Sequence, residues 1–355
     1  MANEKKLIIN RGEEFKLFIK DKIDKTDIFY EQYVTAARML DDILAKHNDN
    51  SDIWCNIEYE NNIIAFCGER GEGKSSAMIS FVKAAYEHQH CRYDESYIFK
   101  DCKNVENTNF TEPIVIDPST LDGVHNVLEI ILATLYKKFK DQYDKDNQSF
   151  YMREREELLD QFQQVYKRVS LINNQEKMLD DEYDYEGNIS KLSKLGQSTE
   201  LRNELEKLIK MYIESMLRVQ RADRDQRKGS LLIAVDDLDL CSSHAYKMAE
   251  QIRKYLIIPG VIVVMAVRIE QLELCIREQN LINYQNLVKQ EKLESGILEE
   301  IENMSERYVA KLIPKSRRNY MPNVRAMNNV RIVYRDENRG TLLSTDLHDT
   351  SVSDN

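Results

Sequence analysis

Gly68-Glu-Arg-Gly-Glu-Gly73-Lys74-Ser75 places glycines, an amine and a hydroxyl at the spacing G-x-x-x-x-G-K-[ST]. Glycines let successive backbone N–H groups approach a phosphate oxygen closely. A helix beginning at this point adds the partial positive charge of its N-terminus. The residue types therefore suit a polyphosphate. Gly68, Gly71 and Gly73 shape the turn, and Lys74 reaches the β- and γ-phosphates. The Ser75 hydroxyl ligates Mg²⁺, and Ser76 extends the small-residue start of the helix.

Leu231-Leu-Ile-Ala-Val-Asp236-Asp237-Leu-Asp239 sets carboxylates at the end of an apolar run. In a parallel sheet, a buried strand ending this way brings its carboxylate to the edge where α/β proteins bind ligands. Asp236 is the expected holder of Mg²⁺ through water, and Asp237 the expected group to orient or deprotonate an attacking water. Asp239 reads as a helper or as a cap for a segment starting near Ser242. No Asn-Lys-x-Asp guanine reader occurs, so ATP is preferred over GTP.

Cations elsewhere admit two readings each. Arg268 follows an apolar strand and fits a phosphate sensor or a structural ion pair. Arg317 and Arg318, after Lys311 and Lys315, fit an arginine presented to a neighbouring subunit's γ-phosphate or a solvated basic loop. Arg218, Arg221, Arg224 and Arg227 recur every three residues. They make a stripe suited to nucleic acid or an acidic partner, or a solvated face diluted by Asp223 and Asp225. His88, His90 and Cys91, with Cys102, lack the paired-cysteine spacing of a zinc site and are set aside. Leu192-Ser-Lys-Leu-Gly-Gln197 carries one residue too many for a transporter-type signature and is rejected.

The elements that must position these groups alternate in kind. Asn62–Cys67 reads as a strand running into Gly68, and Ala77–Tyr86 as a helix running out. Pro113–Asp117, Leu231–Val235 and Val261–Val267 read as further strands, the last two as buried parallel ones. Helices are expected at Val127–Phe139, 270–278 and 297–312. A helical rhythm also spans 13–47, through Phe15, Phe18, Ile19 and Ile23 to Tyr33, Leu40 and Leu44. Between 138 and 228 the chain is charged and helical, with one stripe at Leu158, Leu159, Phe162, Val165, Tyr166 and Val169. A second stripe runs through Leu201, Leu205, Leu208, Tyr212, Met216 and Val219. This alternation predicts an α/β domain with a parallel sheet and a large helical insertion. The expected divisions are 1–137, 138–228, 229–322 and a polar, partly disordered extension at 323–355.

Bulk composition narrows the classes. The chain has 355 residues, a net charge of −11, 42% hydrophobic and 31% charged residues, as in soluble globular proteins. Such acidity argues against sequence-blind nucleic-acid binding over the whole surface, leaving only local basic sites. The six cysteines are scattered and read as reduced intracellular thiols. Neither a signal core nor a membrane-length apolar run is present, so the expected location is the cytoplasm, with no membrane partner.

Three segments carry a resemblance. The loop Gly68–Ser76, the strand and acidic cluster Ile233-Ala-Val-Asp-Asp-Leu-Asp-Leu-Cys241, and Val263-Val-Met-Ala-Val-Arg-Ile-Glu-Gln-Leu272 are together similar to the KAP group of P-loop ATPases. That group is related to STAND and AAA+ proteins. Tyr308-Val-Ala-Lys-Leu-Ile-Pro314 is a weaker echo. The resemblance implies an ASCE-type sheet, with an extra strand between the strand before Gly68 and the strand before Asp236. It also implies Mg²⁺-dependent ATP hydrolysis. Relatives often serve bacterial anti-phage systems, which implies an antiviral role.

This chain departs from the group in three ways. Its insertion is soluble where many relatives carry membrane helices, Arg268 stands where an Asp is usual, and little helical lid follows Pro322. The expected function is an ATP-driven conformational or assembly switch, homo-oligomeric if arginine is supplied in trans, with the insertion available to a protein partner. The rival readings are a nucleotide-gated scaffold with little turnover and a nucleotide or small-molecule kinase.

Overall fold

The structure, a computed structural model, describes residues 5–11, 19–20, 22–49, 61–88, 97–118, 126–145, 152–174, 185–219, 227–240, 244–289, 296–327, 330–336 and 340–346. In chain order the first half gives β1 (Lys5–Asn10), α1 (Tyr30–Asp49), β2 (Ile63–Cys67), α2 (Lys74–Tyr86), α3 (Lys103–Glu106), β3 (Thr108–Phe110), β4 (Ile114–Ile116), α4 (Val127–Lys145), α5 (Met152–Asn174) and α6 (Tyr185–Val219). The second half gives β5 (Lys228–Val235), α7 (Ala245–Gln251), β6 (Val261–Val267), α8 (Ile269–Asn283), α9 (Gln285–Lys289), α10 (Ile297–Leu312), β7 (Arg318–Tyr320), β8 (Val330–Asp336) and β9 (Gly340–Asp346).

These elements make an α/β fold with a mostly parallel sheet and surrounding helices. The hydrogen-bonded order of the six-stranded sheet is β3-β5-β6-β2-β7, with β4 also on β5. β6 is therefore the expected extra strand between the one that ends at Gly68 and the one that ends at Asp236. β2 and β6 are buried at every residue, and β5 from Leu231 to Val235. Unbroken apolar runs rich in Ile and Val are what a strand covered on both faces requires.

The chain forms two compact units. The first comprises Met1–Ala45, Ile64–Glu106 and Val264–Asn355, and the second Lys46–Ile63 and Asn107–Val263, so the division runs through β6. In the first unit, β7 lies parallel to β2, with Ala65 opposite Arg318 and Cys67 opposite Tyr320. The α1 stripe Tyr33, Ala36, Ala37, Leu40, Ile43 and Leu44 is buried at helical spacing. Phe66, Phe81 and Phe99 form a ladder of rings, 5.8 and 6.0 Å between centroids, that fixes α2 against β2. Asn280 Nδ2 donates to the buried Ser305 hydroxyl at 3.0 Å and ties α8 to α10.

In the second unit, β3 and β4 each pair parallel with β5. The buried Asn62 side chain donates to the carbonyls of Leu256 and Val261, both at 2.8 Å, and so closes the turn that precedes β6. Among the described residues of 138–219 the charged stretch is helical, as expected. Leu158, Phe162, Val165 and Val169 of α5, and Leu201, Leu205, Leu208, Tyr212 and Met216 of α6, are buried, whereas Tyr166 is exposed.

One expectation needs correction. The helical rhythm of 13–47 becomes helix only from Tyr30; Phe15 and Phe18 lie outside the described residues. Between Ile23 and Phe29 the chain turns, because Asp24 Oδ1 accepts the Thr26 N–H at 2.9 Å and Asp27 Oδ2 accepts the Asp24 N–H at 2.8 Å. Such local side-chain bonds compete with the helix for the same donors. The extension after 323 contains a sheet: β8 pairs parallel with β1, Lys5 opposite Val330, and antiparallel with β9. Its partner strand sits at the other end of the sequence, beyond the reach of local periodicity. Among the described residues no helix is long and apolar enough to cross a membrane.

Candidate functional site

β2 delivers the chain to Gly68, and α2 takes it away from Lys74. Gly71 and Gly73 have φ of +84° and +81°, the left-handed region that glycine enters without a Cβ penalty. Among the described residues, nothing beyond its two chain neighbours lies within 4 Å of a Cβ built on Gly71, so the constraint seen there is conformational. A Cβ on Gly73 would also meet the Phe29 ring at 2.8 Å. Gly73 is the N-cap of α2, and the first turn of that helix holds no acidic residue. A helix terminus with no acidic residue in its first turn and the Lys74 amine are donors of the kind phosphate oxygens accept from.

Lys74 is buried, and its Nζ donates to the Glu69 carbonyl at 2.8 Å. The Glu69 N–H donates to Glu72 Oε2 at 2.6 Å and fastens the mouth of the turn. Cys67, just before the loop, is a buried thiol pushed up to about 12 by burial, with Arg318 and Lys74 opposing and Glu270 adding. It stays protonated and unreactive near neutrality.

Arg268 follows β6 as the N-cap of α8. Its Nε stands 3.1 Å from Glu69 Oε2 and 3.9 Å from Glu270 Oε2. The nearer of these two carboxylates belongs to the glycine-rich loop itself. Arg318 Nε donates to the Ile313 carbonyl at 2.9 Å. The Glu273 carboxyl is raised by burial; Arg318 opposes the shift, and Glu306 and Glu270 reinforce it. Arg317 is no part of a solvated loop. It is buried, with hydrogen bonds to Asp42 at 2.6 Å and to the Met39 carbonyl at 3.1 Å.

In the second unit β5 ends at Val235, and Asp236 follows it. The Asp236 N–H donates to the Ile116 carbonyl at 2.9 Å, and Asp236 Oδ1 accepts the Asp237 N–H at 3.0 Å. Asp236 is mostly buried. Asp237 has φ +46°, the only positive φ at a non-glycine among the described residues. Asp tolerates this region better than most residues, yet it still costs about 1 kcal/mol. The turn Leu238–Leu240 closes with the Leu240 N–H on the Asp237 carbonyl at 3.0 Å. Asp239 is buried; Cys241 and Ser242, and with them the cap reading, lie outside the described residues.

The remaining candidates sit elsewhere. His88 is buried, its Nδ1 2.8 Å from the Ala85 carbonyl and its ring edge-on to Phe99; His90 and Cys91 are outside the described residues. Arg218 pairs with Glu154 at 2.7 Å, and Arg221 and Arg224 are likewise outside. Leu192–Gln197 lies inside α6. Sequence reasoning missed Glu69, because it fills an unrestricted position of the motif and its partner Arg268 is remote in sequence.

A family model, the KAP family P-loop domain, matches residues 51–301. No curated protein matches the chain.

Proposed function

The chain belongs to the KAP family of P-loop domains, and from that membership we propose that it binds ATP with Mg²⁺ and hydrolyses it. The observation that carries the reading is the left-handed pair Gly71 and Gly73 leading into a helix that begins with the buried Lys74. Gly68, Gly71, Gly73, Lys74, Ser75 and Ser76 hold the triphosphate through backbone N–H groups, the amine and the helix terminus. Mg²⁺, held by Ser75 and through water by Asp236, would neutralise phosphate charge. Asp237 orients or deprotonates water, and its constrained backbone supports a fixed aim for the carboxylate. Arg268 reads the terminal phosphate, and Arg318 is the arginine presented to a neighbouring subunit's γ-phosphate.

Hydrolysis drives a conformational or assembly switch, with homo-oligomers as the working form and the α5–α6 insertion as the surface for a protein partner. A role in bacterial anti-phage defence fits the family. Steady-state phosphate release by wild type and Asp237→Asn tests the enzymatic part. A loss of about a hundredfold or more in the variant, with ATP uptake retained, supports it. Equal and negligible rates in both proteins would replace turnover with a nucleotide-gated scaffold.

A further inference from the structure

Three contacts converge on Glu69. Its carbonyl accepts Lys74 Nζ at 2.8 Å, its N–H donates to Glu72 Oε2 at 2.6 Å, and its carboxylate faces Arg268 Nε at 3.1 Å. The first two use backbone atoms and do not depend on the side chain. The third does. Arg268 Nε is buried yet makes no hydrogen bond of good geometry, so the contact is Coulombic and not a bidentate fork. The two side chains keep 40% and 58% of their surface exposed, and such pairs hold weakly.

A terminal phosphoryl group carries up to two negative charges and three acceptor oxygens, and matches the guanidinium fork better than one carboxylate does. We propose that Glu69 is the exchange partner of Arg268: its carboxylate holds the guanidinium at the loop and releases it to a third phosphate but not to a second. Glu69 thereby tempers the preference for nucleoside triphosphate over diphosphate, and the inference rests on the ATP reading above. Triphosphate binding must break the Glu69–Arg268 contact, whereas diphosphate binding leaves it in place.

Titration calorimetry of ATP and ADP, each with Mg²⁺, into the full chain tests this in four backgrounds: wild type, Glu69→Gln, Arg268→Ala and the double variant. Glu69→Gln is expected to tighten ATP binding about two- to fivefold with little change for ADP. That gain in ATP over ADP is expected to vanish when Arg268 is absent. Equal shifts for the two nucleotides, or a gain that persists without Arg268, overturns the exchange. Should Glu69→Gln fail to fold, Glu69→Asp, whose shorter side chain draws the carboxylate back from Arg268, reads the same contact: tighter ATP with unchanged ADP supports it, and equal shifts for the two nucleotides overturn it. No uptake of either nucleotide by wild type overturns both readings, whereas normal uptake with equal shifts overturns this one alone.

Discussion

Arg317 Nη2 donates to Asp42 Oδ2 at 2.6 Å, which ties the middle of α1 to the residue just before β7. The guanidinium is buried and the carboxylate half-exposed, so the loss falls mainly on the arginine side. Asp42→Ala leaves Arg317 with the Met39 carbonyl among the described residues. The expected loss is about 1–3 kcal/mol of stability, read as a lower denaturant midpoint at an unchanged slope. No change in midpoint would contradict a structural role for the pair.

The two loop glycines should differ in what alanine does. Gly71→Ala meets no neighbour and is opposed only by its positive φ, a strain of about 1–2 kcal/mol. Gly73→Ala carries the same strain and also drives a methyl into the Phe29 ring. Thermal unfolding should therefore rank wild type above Gly71→Ala, and Gly71→Ala above Gly73→Ala. The reverse order of the two variants would contradict the packing of Phe29 on the loop.

Burial raises the Glu273 carboxyl above its ordinary value of 4.5. A carboxyl raised in the folded state favours folding while it is protonated. That contribution is complete below pH 4.5 and is lost as pH rises through the raised value. Glu273→Gln removes this loss. Moving from pH 4 to pH 7, the variant should gain stability relative to wild type. A constant difference across that range would show that Glu273 titrates alike in the folded and unfolded chain.

Much of the first-order architecture was legible from sequence. β2, β6 and the Leu231–Val235 part of β5 declared themselves as unbroken apolar runs, since strands buried on both faces have no polar side to show. α2, α4, α8 and α10 followed from their apolar spacing. β7 did not, because Arg318-Asn319-Tyr320 has no apolar pattern and is held by backbone pairing to β2 and by the Asn319 side chain on the Gln32 carbonyl at 2.8 Å. The β1–β8 pairing was invisible for a related reason, since it joins residues more than three hundred positions apart in the sequence.

The candidate site divides in the same way. Gly71, Gly73 and Lys74 stand in a spaced pattern whose chemistry is local, so residue types sufficed. The Glu69–Arg268 contact depends on how β6 packs beside β2, and no spacing rule encodes it. The burial of Arg317 is likewise a tertiary fact: a run of basic residues reads as solvated until a carboxylate on another helix is found to face it.

The central claim is that the loop before α2 takes up a nucleoside triphosphate through Lys74. The direct measurement is calorimetric titration of ATP with Mg²⁺ into the intact chain and into Lys74→Ala. The amine makes a charge-assisted contact, and its removal should weaken uptake by about tenfold or more, while the melting temperature stays within a few degrees of wild type. A wild-type chain that takes up no ATP, or a Lys74→Ala chain that takes it up undiminished, would contradict the account.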